Sequence, residues 1–233
     1  NCRLRLCRQP TNNTVSRTAV DSKAILARLM AAENLIVEHV HDAETAYFQP
    51  ETRRLVLPVW KDMNDDVYDM LVGHEVGHAL YTPPGDQPVR DACAAIEPDE
   101  AMRGRAMGYL NIVEDARIER LMKRKYPGLI HNFRRGYMHL WESNRFGLRE
   151  MMRDAANMPL IDRLNIKAKF GVHADLLVTL STDEMMFYNE MMRTETFDQV
   201  VDLARRIYDY ARLPKQPQQP PRSTPVNVAP SDD

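Results

Sequence analysis

His74, Glu75 and His78 are the residues of this chain whose types and spacing can do chemistry. They stand in the run His74-Glu75-Val76-Gly77-His78. On a helix, histidines four residues apart share one face and can bind the same zinc ion, and the glutamate beside the first can act as general base on a water held by that ion. The plain alternative is a helix carrying two buried, hydrogen-bonded histidines. The surrounding sequence favours the chemical reading.

The motif needs a helix, and the chain supplies one. Val67, Met70, Leu71 and His74 fall at helical spacing, as do Leu71, His74 and His78. Asp65 and Asp66 suit a helix N-terminus, and Thr82-Pro83-Pro84-Gly85 is a stop. Gly73 and Gly77 each cost a helix about 1 kcal/mol against alanine. Their place beside the histidines predicts a close neighbour, such as a strand or a substrate backbone. Zinc needs a third protein ligand and, in a catalytic site, an open fourth position. The long metzincin form would have glycine at position 81 and histidine at position 84, but Tyr81 and Pro84 stand there. The third ligand is therefore expected on a later helix. Leu110, Val113, Ile118, Leu121 and Met122 form one apolar stripe, and Glu114 lies beside it, where a metal would offset the cost of burying its charge. Asp115 is expected to accept the other N–H of a ligand histidine and fix its tautomer. Glu119 is the weaker alternative for either part.

Two stretches carry a resemblance. Leu71 to Pro83, with His74-Glu75-Val76-Gly77-His78 at its centre, and Asn111 to Glu119 together resemble gluzincin-type zinc metallopeptidases. More narrowly, they resemble the metallopeptidase region of phage and bacterial proteins that carry a von Willebrand factor A domain. The pattern runs from about residue 22 to 212, with only the two motifs specific. The resemblance implies Zn2+ held by His74, His78 and Glu114, with Glu75 as base. The gluzincin pattern usually has an acidic residue one turn after the glutamate ligand; here that position is Ile118, so Asp115 or Glu119 would take its part. A zincin sheet would also offer a strand edge to an extended peptide substrate.

Composition sets the outer bounds. The chain has 233 residues, enough for one sizeable core with tails. A net charge of −2 gives no general attraction to nucleic acid or membrane, and no stretch has the length of a transmembrane helix. The first residues hold no apolar signal core. Cys2, Cys7 and Cys93 make no disulfide framework, which with the methionine-rich composition favours a reducing compartment.

Residues 1–19 read as a disordered basic tail, 20–212 as a zincin-like domain and 213–233 as a proline-rich linker. Asp21 can cap a helix, with Ala24 to Ala32 strongly helical. Leu35 to Val40, Ala46 to Phe48 and Leu55 to Trp60 read as strands, with a turn at Pro50-Glu51-Thr52. The expectation is an α+β fold, a small and mostly antiparallel sheet followed by a largely helical body and disordered termini. A short helix or turn region is expected over 88–96, one or two helices over 98–125, and helices over 131–142, 146–155, 161–170 and 183–210. His131 and Tyr137 are candidate donors to the transition state, with Arg135, His139 and Tyr109 behind them. His39 and His41 share one strand face.

The expected protein is thus a zinc metallopeptidase of the cytoplasm, or of the host cytoplasm if phage-encoded. It would cleave a peptide or protein, with a possible A-domain partner in cis or trans and no nucleic-acid or membrane partner. The alternative is a non-catalytic zinc-bearing assembly module that works with an A domain or an ATPase, although a structural zinc has no need of Glu75.

Overall fold

The computed structural model describes residues 35–147, 149–150, 153, 157–176 and 178–213. The tail expected at 1–19, the helix over 24–32, the Cys2 and Cys7 pair and the tail from Pro214 lie outside them.

Three strands come first: β1, Ile36–Val40; β2, Tyr47–Gln49; and β3, Arg54–Pro58. Leu55, Val56 and Leu57 are an unbroken apolar run, exposed by 1% or less, and this places β3 in the middle of the sheet. β2 pairs with it antiparallel, Phe48 opposite Leu55, through the expected turn. β1 pairs with it parallel, from Ile36 opposite Arg54 to Val40 opposite Pro58. The sheet is therefore mixed, not mostly antiparallel. A hairpin announces itself by turn residues, whereas a parallel pairing has no comparable local signature.

Helix α1 spans Asp65–Tyr81. Asn64 caps it, its side chain accepting from the Val67 N–H at 2.9 Å, and Asp65 and Asp66 complement the positive end of the helix dipole. It stops where a proline follows: Thr82, before Pro83, takes the extended φ −76° and ψ 137° that a pre-proline residue prefers. Then come α2 (Gln87–Ile96), α3 (Arg103–Lys125) and α4 (Leu129–Glu142). A 3-10 turn at Glu100–Met102 precedes α3, so the stretch 98–125, expected as one or two helices, is this turn followed by one α-helix from Arg103.

Next are α5 (Leu160–Phe170), α6 (Thr182–Met191) and α7 (Phe197–Arg212). The helix expected over 183–210 is two helices. Each half opens with its own capping box, Ser181 with Glu184 and Thr196 with Gln199, and the second box restarts the chain in a new direction. Of the helix expected over 146–155, the described residues include a short 3-10 turn at Arg145–Gly147. Among the described residues no helix is long and apolar enough to cross a membrane.

The core has two main parts. Leu35, Leu55 and Leu57 pack with Val67, Met70, Val72 and Val76 of α1 and with Phe133 and Tyr137 of α4. Leu110 and Val113 of α3 pack with Leu164 of α5 and with Val200, Leu203 and Ile207 of α7. Helix α3 belongs to both, because Met122 joins the first part. The close neighbours expected at Gly73 and Gly77 are helices, not a strand. A Cβ on Gly77 would lie 2.9 Å from Ile118 Cδ1 of α3, and one on Gly73 3.1 Å from Leu129 Cδ1 of α4. These glycines let α3 and α4 pack closely against α1 at positions next to the histidines.

Candidate metal centre

His74 and His78 lie on one face of α1, their rings 5.0 Å apart between centroids and inclined at 75°. Helix α3 meets that face and brings Asp115 to it. Asp115 Oδ1 is 3.3 Å from His78 Nε2 and 3.5 Å from His74 Nε2. Ligands about 2.0–2.1 Å from a tetrahedral zinc stand about 3.3–3.4 Å from one another, so both separations suit a shared ion. Among the described residues, this is the group of histidine, cysteine and carboxylate side chains whose ligand atoms converge, all within 4.8 Å. The three side chains keep 16%, 22% and 21% of their surface exposed for His74, His78 and Asp115, so small molecules can reach the group.

The other ring nitrogens are tied back. Thr82 Oγ1 is 3.0 Å from His78 Nδ1 and donates to Glu114 Oε1 at 2.6 Å. A hydroxyl has one proton, and a carboxylate can only accept, so the Thr82 proton goes to Glu114 and His78 Nδ1 must donate to Thr82. His74 Nδ1 is 3.1 Å from Glu119 Oε1 and must donate there for the same reason. In the neutral rings both Nε2 lone pairs then face Asp115 and are available to a metal.

Each of these anchors is itself held. Arg117 grips Glu114 through Nε at 2.8 Å and Nη2 at 2.7 Å, and it also donates to the Tyr81 carbonyl at the end of α1. Glu119 accepts from the Tyr137 hydroxyl, from Lys123 at 3.1 Å and from Lys169 at 3.3 Å.

Glu75 is buried, at 7% exposure, beside both histidines and Asp115. Burial pushes its pKa up, with the histidines and the nearby Phe48 backbone of edge strand β2 pulling the other way. Burial disfavours a charged His74, but Asp115, Glu119 and Glu75 outweigh it and push that pKa up to about 9. Burial would raise Asp115 and Glu119, yet His74 and Lys169 hold the first below the usual carboxylate range, and Lys169 and Lys123 hold the second well below it.

The structure exchanges two of the parts expected from sequence. The carboxylate between the histidines is Asp115, where Glu114 was the expected ligand; Glu114 lies one step around the helix, spent on Arg117 and Thr82. Asp115, expected at a ring N–H, faces the Nε2 atoms instead, and Glu119 and Thr82 do the orienting. Neither candidate donor points into the group. His131 is exposed on α4, and Tyr137 is buried behind Glu119 with its proton committed there. Burial and Glu119 keep the Tyr137 pKa well above its ordinary value. His39 pairs with the Tyr68 hydroxyl at 2.8 Å, His139 with Asn64 and the Asp62 carbonyl, and His41 is exposed.

Sequence reasoning missed Thr82, Arg117 and Lys169. Thr82 stands four residues after His78, the spacing of neighbours on a helix face, and could have been found from that. Lys169 has no such signal.

No protein-family model, curated protein or solved structure matches this chain. The reading of the site therefore rests on its own geometry.

Proposed function

We propose that the chain is a zinc-dependent peptidase in which His74, His78 and Asp115 hold the ion and Glu75 is the general base. One observation carries this reading: the two Nε2 atoms and Asp115 Oδ1 converge at spacings that suit tetrahedral zinc, with both Nδ1 atoms already donating elsewhere. The donor set is three nitrogen and oxygen ligands, which is the make-up of a catalytic zinc site with one position left over.

When bound, the ion would supply the Lewis acidity that activates a water and polarises a scissile carbonyl. Glu75 would take the water's proton and pass it to the leaving amine, a role supported by its burial next to the histidines. β2 lies at the sheet edge with Phe48 against Glu75, so an extended peptide paired along that edge would run past the base. Glu75 also argues against a purely structural metal, which needs no base.

Glu75→Gln tests the reading. The variant should keep one zinc per chain by elemental analysis and lose peptide hydrolysis by about 10²-fold or more, the typical contribution of general-base catalysis. Cleavage of a mixed peptide library at the wild-type rate by this variant would overturn the mechanism.

A further inference from the structure

Lys169, in the last turn of α5, is a cation beside the candidate metal centre and plays no part in the mechanism above. Its ammonium is 3.0 Å from the Tyr137 hydroxyl, 3.3 Å from Glu119 Oε1 and 3.4 Å from Asp115 Oδ2. An ammonium has three N–H bonds, and these three oxygens account for all of them. The side chain is 19% exposed, so the charge is committed inside the protein. Helix α5 ends directly after it, at Gly171, whose φ of +55° is a conformation glycine adopts without strain. The lysine therefore sits at a helix C-terminus, whose partial negative charge favours a cation.

The two oxygens of Asp115 have different neighbours. Oδ1 faces the histidines and Oδ2 faces Lys169. We propose that Lys169 is a positioning residue that holds Asp115 as a one-oxygen metal ligand and so keeps the ion four-coordinate, with water as the fourth ligand. This rests on the zinc-site reading. A carboxylate binds a metal through one oxygen or two, and the second oxygen is kept from the ion only if something else holds it. The same ammonium touches Glu119, the acceptor for His74 Nδ1, so one cation steadies both a ligand and the group that orients another. With Lys169 neutralised, Asp115 Oδ2 would turn to the metal as a further ligand beside the water, and coordination would rise from four to five.

Co2+ is the probe, because its visible absorption bands weaken as coordination rises from four to five. Full-length wild-type chain, Lys169→Met and Lys169→Arg are titrated with Co2+. Wild type should take one ion with intense bands, the Met variant one ion with clearly weaker bands, and the Arg variant, which keeps charge and donors, should restore the intensity. Lys169→Gln is the second neutral variant should the Met variant not fold. Wild-type bands from whichever neutral variant folds would overturn the proposal while leaving the zinc site intact. A wild type that takes no metal would overturn both readings.

Discussion

Glu119 accepts from His74 Nδ1 at 3.1 Å while Asp115, one helical turn earlier on α3, faces the Nε2 of the same ring. Two carboxylates four residues apart thus divide one imidazole between them: the first faces its Nε2, the second fixes its tautomer. Truncating or neutralising such an orienting group typically weakens metal affinity by 10- to 100-fold. Glu119→Gln should therefore keep the one-to-one stoichiometry but lose zinc to a chelator about 10- to 100-fold more readily than wild type. Chelator competition measures this, and an unchanged affinity would remove Glu119 from the site.

Asp115 and Glu114 should part company on mutation. His74→Ala and Asp115→Ala are expected to lose zinc, read by elemental analysis. Glu114→Gln is expected to keep it, because its carboxylate lies behind Thr82 and not beside the Nε2 atoms. Its cost is to stability. Arg117 is buried with Glu114 as its carboxylate partner, and breaking a buried ion pair costs about 3–5 kcal/mol. Urea unfolding of the metal-free proteins would show it. Zinc lost from Glu114→Gln and kept in Asp115→Ala would reverse the assignment.

The contrast between Glu114 and Asp115 also shows what could be read from the sequence. His74, Glu75 and His78 were legible because their spacing is a local property of one helix, and the Asn64 cap and the Thr82-Pro83 stop fix that helix. The presence of a carboxylate partner near residue 114 was legible too. Which of two adjacent carboxylates faces α1 was not, because neighbours on a helix point about 100° apart and the outcome depends on how α3 crosses α1. That crossing is set by Gly77 against Ile118, a contact between distant segments. Lys169 was invisible for the same reason: its partners are 32 to 54 residues away. The parallel β1–β3 pairing is likewise non-local, whereas the β2–β3 hairpin carried its own turn. The capping box at Thr196 is local and legible, and weighing it would have divided the long helix.

Acid should weaken the Arg163–Glu184 pair that ties α5 to the start of α6. Arg163 reaches both Glu184 oxygens, and together with the Ser181 N–H this outweighs burial and lowers the carboxyl below its ordinary value of 4.5. A lowered folded pKa adds stability that is fully present above the unfolded value and is lost as pH falls through the folded one. Glu184→Gln keeps a capping-box side chain but removes the charge. It should be less stable than wild type at neutral pH, and the gap should close as pH drops below 4.5. Urea unfolding across that range checks the sign; a gap that widens in acid would show that the carboxylate does not stabilise the fold.

Gly77→Ala tests whether the close approach of α3 to α1 builds the site. An alanine Cβ would stand 2.9 Å from Ile118 Cδ1 and 3.1 Å from Met122 Cγ. Ile118 is fully buried and β-branched, so it has little room to yield. Alanine gains about 1 kcal/mol of helix propensity over glycine, but overpacking a filled core costs about 1–3 kcal/mol. The net expectation is a modest loss of stability. The larger effect falls on the metal, because α3 must move outward and carries Asp115 away from His78, the residue next to Gly77, and from His74. Zinc affinity should fall more steeply than stability in this variant. Gly104→Ala is the control, since a Cβ there meets nothing within 4 Å. Equal metal affinity in the two variants would mean that the α1–α3 spacing does not set the site.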